Sequence, residues 1–130
     1  MKSAPFILVV DDEPVVAGSL VQILESEGYR AAAESDGLSA IRRAERDHPD
    51  LLICDVIMPG LDGIETARRI MKFSPRTRTI LFSGRSAASF VQHALDQDFR
   101  FDVMMKPVKP DDLLAAIRRL LEIEHYARAV

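Results

Sequence analysis

The chain reads as an α/β protein with a doubly wound parallel sheet. Three observations predict this. Four short apolar runs and one weaker, small-residue run alternate with stretches whose apolar residues recur at helical spacing. The strongest runs, Phe6-Ile7-Leu8-Val9-Val10 and Leu51-Leu52-Ile53-Cys54, show no polar alternation, as expected of strands covered on both faces. Breakers close the elements at short intervals, so the order βαβαβαβαβα leaves little room for any arrangement but right-handed crossovers.

Taken in order, Phe6 to Val10 is the first strand and ends on Asp11-Asp12-Glu13. Pro14 suits the first turn of a helix, Val16, Leu20, Ile23 and Leu24 form its apolar face, and Gly28 stops it. Tyr29 to Ala33 is a weaker strand, suited to an edge. A second helix begins near Asp36, is expected to bury Leu38, Ile41 and Ala44, and ends before Pro49. Leu51 to Asp55 is the central strand. Asp62 and Glu65 have the spacing of a capping box, opening a third helix with Ile64, Ala67, Ile70 and Met71 inward.

Thr79 to Ser83, ended by Gly84, is the fourth strand, and Ala87 to Asp96 a helix presenting Phe90, Val91, Ala94 and Leu95. Phe101 to Met105 is the fifth strand, closed by Lys106-Pro107. Pro110 starts the last helix, with Leu113, Leu114, Ile117, Leu120 and Leu121 inward. Five strands favour the flavodoxin-like order 2-1-3-4-5, which sets the ends of the first and third strands beside the crevice where ligands bind. Asp11, Asp12 and Asp55 are thereby expected together.

Composition narrows the function classes. One domain over residues 1–130, with a core of about 5–124, is expected from 130 residues. No apolar run is long enough to cross a bilayer, and Met1-Lys2-Ser3-Ala4-Pro5 lacks the apolar core of a secretory signal. The single cysteine cannot form an internal disulfide, in agreement with a cytoplasmic location, and Cys54 is expected as an inert core residue. A net charge of −3 offers no basic footprint for direct nucleic-acid binding. His48, His93 and His125 are scattered without metal-ligand spacing, so surface or cap roles are expected.

The acids carry the chemistry. Close carboxylates repel by roughly 4 kcal/mol per pair at an effective dielectric near 20, so the cluster needs an offsetting charge. Mg²⁺ suits a site of few carboxylates, and Lys106 ends the fifth strand at the same edge. Ser83 adds a hydroxyl there. Carboxylate, cation, lysine and hydroxyl around one crevice are what phosphoryl transfer to an aspartate requires.

With Val10-Asp11-Asp12-Glu13, Asp55-Val56-Ile57-Met58-Pro59-Gly60 followed by Asp62-Gly63, Ser83-Gly84 and Lys106-Pro107, the chain resembles the receiver domain of two-component response regulators over essentially its whole length. The resemblance implies that Asp55 accepts a phosphoryl group from a histidine kinase or histidine phosphotransfer protein. It also implies that Asp11, Asp12, Asp55 and the Ile57 backbone carbonyl hold Mg²⁺, that Lys106 pairs with the phosphoryl group, and that Ser83 is the switch hydroxyl. The Lys106–Pro107 bond is expected to be cis. The protein so described is no turnover enzyme, though it supports its own phosphorylation and autodephosphorylation. A downstream protein target, no membrane, and a phosphorylation-linked homodimer complete the partner expectations.

Two departures from the family pattern stand out. Val103 occupies the position three before the lysine, where the family usually has Phe or Tyr, with Phe101 on the same strand as a substitute. The segment from Ala94 to Lys106 is about two residues longer than usual and lacks a Gly-Ala turn. Arg85 and Ile57, each two residues beyond a site residue, together with Gly84, Val103 and Pro107, are expected to modulate the site.

Three rival readings fit less well. A haloacid-dehalogenase-type phosphatase needs a second Asp where Ile57 stands. A flavodoxin-like nucleotide or flavin module needs a Gly-rich loop where acids stand. A receiver that has lost phosphorylation would not be expected to keep every acid, the lysine and the hydroxyl. Glu122 to Val130 continues the last helix, so a stand-alone receiver is expected, with excision from a larger regulator or hybrid kinase as the alternative.

Overall fold

A computed structural model describes residues 3–96 and 100–129 of the chain. The five strands are β1 (Phe6–Val10), β2 (Arg30–Glu34), β3 (Leu51–Asp55), β4 (Arg78–Ser83) and β5 (Asp102–Met105). The helices are α1 (Pro14–Ser26), α2 (Gly37–Asp47), α3 (Gly63–Phe73), α4 (Ala88–Asp96) and α5 (Pro110–Ala129), with a single 3₁₀ turn at Arg85–Ala87 before α4. All strand pairs are parallel in the order β2-β1-β3-β4-β5. The expected topology is therefore the observed one.

The period-2 alternation of the strands divides the core in two. Ile7, Val9, Leu51, Ile53, Ile80 and Phe82 meet α1 and α5 on one face. Leu8, Val10, Leu52, Cys54 and Leu81 meet α2, α3 and α4 on the other. Because β1 and β3 are covered on both faces, all ten of their residues are buried. The edge strand β2, reading Arg-Ala-Ala-Ala-Glu, is only half-covered.

Several expected details shift. Strand β2 begins at Arg30 rather than Tyr29, and β5 at Asp102 rather than Phe101. Leu38, Val16 and Phe90 were expected inward but lie exposed, at 54%, 38% and 47%. In each helix the neighbouring small residues Ala40, Ala17 and Ala94 take the buried positions, because they let the helix approach the sheet closely. The Gln97-Asp98-Phe99 part of the lengthened segment before β5 lies outside the described residues.

Helix ends follow local chemistry. The Asp36 and Asp62 carboxylates accept the Ser39 and Glu65 amides at 2.8 and 2.9 Å, as N-caps. His48 closes α2 in the left-handed region, φ 45°, its N–H donating to the Ala44 carbonyl.

Candidate functional site

Parallel pairing brings the C-terminal ends of β1, β3, β4 and β5 to one edge. Asp11, just past β1, is 5% exposed, and its Oδ1 accepts the Glu13 amide at 2.9 Å. Asp12 beside it faces water, while Asp55 at the end of β3 is 7% exposed. One carboxylate oxygen from each of the three lies within 4.8 Å of the others. Lys106, just past β5, reaches across β4 to place Nζ 2.8 Å from Asp55 Oδ1. Its backbone N–H donates to the Ser83 carbonyl at 2.9 Å, which ties the lysine to β4, and the Lys106–Pro107 peptide is cis.

The loop after β3 is held at both ends. The Val56 amide donates to the Phe82 carbonyl at 3.0 Å, and the Gly63 amide to the Val56 carbonyl at 2.9 Å. Gly63 must be glycine for steric reasons, since a Cβ there would overlap the Asp55 carbonyl oxygen and stand 2.9 Å from the Val56 Cα. The Asp-Gly pair is visible in the sequence, but not this close approach. Ser83 is buried, its Oγ donating to the Gly84 carbonyl at 3.1 Å.

Charge is unbalanced at this edge. Burial raises the Asp11 pKa above its ordinary value, against the lowering effect of the Glu13 amide; Asp55 and Asp12 push it further up and Lys106 draws it down. Three carboxylates against one ammonium would sum to −3 + 1 = −2 when all are ionised. An all-oxygen donor set with residual negative charge fits a hard divalent cation such as Mg²⁺. Burial pushes the Cys54 thiol far above its ordinary range, in keeping with an inert core residue.

The remaining predicted residues occupy the surroundings. Ile57 is 55% exposed in the loop after Asp55, and Arg85 is exposed in the 3₁₀ turn after Gly84. Val103 pairs with Leu81 in the β4–β5 ladder and, like Phe101, packs partly buried against the core under α4. Pro107 lines a cleft of about 580 Å³ beside Lys106, together with Asp11, Val16, Leu20 and Phe82. Sequence reasoning missed this cleft, because it had assigned Val16 to the core.

A doubly wound sheet with paired acids after β1, an acid ending β3 and a lysine after β5 defines a class of phosphoryl-accepting signalling domains. The family model for the response regulator receiver domain matches residues 7–118, and the chain belongs to that family. It is 36% identical over 115 residues to the response regulator MprA of Mycobacterium leprae and 32% identical to the DNA-binding response regulator MtrA of Mycolicibacterium smegmatis. Each match covers 88% of this chain and 50% of the relative, so the chain spans about half the length of these curated relatives. Among solved structures it resembles a receiver domain protein from Clostridium thermocellum, with 26% identity, TM-score 0.87, and 95% and 98% of the two chains covered. A CheY-like receiver domain protein from Methanospirillum hungatei JF-1 is similar at 27% identity and TM-score 0.85, covering 96% of this chain and 99% of that one.

Proposed function

We propose that residues 1–130 form one receiver domain that takes a phosphoryl group onto Asp55 from the phosphohistidine of a histidine kinase or histidine phosphotransfer protein. The observation that carries this reading is the 2.8 Å contact between Lys106 Nζ and Asp55 Oδ1 beside the Asp11 and Asp12 carboxylates. An Asp55 carboxylate oxygen attacks phosphorus, the P–N bond to the donor imidazole breaks, and that nitrogen takes a proton. Lys106 follows the charge outward, from the carboxylate in the resting protein to a phosphoryl oxygen in the product. Asp11, Asp12, Asp55 and the Ile57 carbonyl are the ligands assigned to Mg²⁺, which when bound neutralises charge on the phosphoryl oxygens.

Output in this reading is conformational. Ser83 moves toward the phosphoryl group and draws the Gly84–Arg85 turn with it, biasing α4 and the β5–α5 face between two states that a protein target or a second copy distinguishes. Phe101, packed in that layer, takes the place of the aromatic switch that the family usually carries where Val103 stands. The cleft beside Lys106 and Asp11, with Val16, Leu20, Phe82 and Pro107 in its lining, offers the donor protein an apolar surface. The chain works in the cytoplasm, without touching nucleic acid itself. Arg85 and Ile57 set how fast water removes the phosphoryl group, so exchanging both changes the lifetime of the phosphorylated protein.

The direct test is intact mass after incubation with acetyl phosphate and Mg²⁺. A gain of one phosphoryl group, lost on chelation and in Asp55→Asn, supports the reading. Absence of any gain with both acetyl phosphate and phosphorylated kinase, in a folded protein, refutes it.

A further inference from the structure

Four of the six glycines stand in open space, where an added Cβ would meet nothing within 4 Å. The other two, Gly37 and Gly63, are tightly packed, and both press on the loop between β3 and α3. Gly63 closes the inner end of that loop through its bond to the Val56 carbonyl. Gly37 belongs to a different element, as the buried first residue of α2.

Space, not backbone conformation, accounts for the glycine at 37. The left-handed glycines are Gly28 and Gly60, and Asp36 already caps α2. A Cβ on Gly37 would overlap Thr66 Oγ1 and stand 3.0 Å from Leu61 Cβ and 3.1 Å from Leu61 Cδ2. Neither neighbour is free to yield. Thr66 is fully buried and its Oγ1 donates to the Asp62 carbonyl at 2.8 Å, so turning it aside breaks a bond to the residue that caps α3. Leu61 is the half-buried residue just before that cap.

The loop has few ties of its own. Its backbone is bonded at its ends, Val56 N–H to the Phe82 carbonyl and Gly63 N–H to the Val56 carbonyl, and among the described residues no backbone–backbone hydrogen bond is made by residues 57–61. Packing therefore holds its middle, with Met58 buried in the core and Leu61 seated on Gly37. A close-packed contact transmits displacement, so the loop follows the surface on which it rests.

We infer that Gly37 is a positioning residue of the acid site: it leaves the room in which Leu61 and Thr66 seat the loop after β3 on α2, and so fixes the Ile57 carbonyl relative to the three carboxylates. The inference rests on the proposed reading, which assigns that carbonyl to Mg²⁺. A larger residue at 37 displaces the loop and loosens the cation without altering any of its ligands.

The test is a Mg²⁺ titration of the full chain without phosphodonor, followed by amide-resolved NMR. Gly37→Ala should weaken Mg²⁺ binding about tenfold, and in chelator its amide shifts should differ from wild type from Ile57 to Asp62. In a Thr66→Ala background, where the overlapping oxygen is gone, the same substitution should change affinity by about twofold or less. Gly18→Ala, in open space on α1, should bind Mg²⁺ as the wild type does. Leu61→Ala removes the loop's side of the contact without crowding and should weaken binding by a similar factor, so it reads the contact even where Gly37→Ala fails to fold. Wild-type affinity in a folded Gly37→Ala or Leu61→Ala protein overturns the inference. So does an equal loss with and without Thr66 Oγ1, or the same loss in Gly18→Ala. A wild-type chain that binds no Mg²⁺ overturns the metal assignment of the acid site itself, and the inference with it.

Discussion

At the scale of single residues, the acid edge is built at the expense of the resting fold. The raised Asp11 pKa means that the folded protein holds this proton more tightly than the unfolded chain. Its contribution is therefore favourable at low pH and is lost as pH rises from the unfolded value near 3.8 through the raised folded one. Asp11→Asn removes that dependence and keeps an oxygen acceptor for the Glu13 amide. In chelator at neutral pH the variant should be more stable by about 1 kcal/mol, chiefly because no charge is buried there and secondarily from one fewer like charge, while losing Mg²⁺ affinity; thermal melts with and without the cation read both effects. Gly63→Ala should do the opposite, lowering stability by roughly 1–3 kcal/mol through forced backbone movement at Asp55 and Val56. Phosphorylation by acetyl phosphate should fall with it, since the backbone carbonyl of Asp55, the proposed acceptor, is displaced.

At the scale of elements, the strands were legible because burial on both faces leaves an unmistakable apolar run. Helix faces were less so. Large apolar residues look like core, yet Leu38 and Phe90 point outward because Ala40 and Ala94 already fill the contact with the sheet. The 3₁₀ turn at Arg85–Ala87 had no signal beyond the glycine before it. The caps were legible, and they should matter: Asp62→Ala should cost about 1 kcal/mol by releasing the Glu65 amide. Asp36 caps α2 with its pKa held below the ordinary value, chiefly by the Ser39 amide, so its stabilisation is present above pH ~4 and lost as acid passes the lowered folded value. An Asp36→Asn melt should show less acid dependence over that range. In the core, Ile117→Ala on α5 should cost about 2–5 kcal/mol, measured by denaturant unfolding.

At the scale of the whole molecule, acids, lysine and hydroxyl were legible as a set only because topology converts distant positions into one edge. The distances were not: nothing in the order of residues states that Lys106 spans β4 to reach Asp55. Fold and cation should be linked. At Mg²⁺ one hundred times its Kd the protein should gain about 2.7 kcal/mol, seen as a higher Tm that Asp55→Asn abolishes.

The lysine's reach across β4 has a further consequence during synthesis. Asp11 and Asp55 leave the ribosome long before Lys106, and β5 is the outer strand of its side of the sheet. A nascent or truncated chain that ends before β5 thus lacks the ammonium that completes the site.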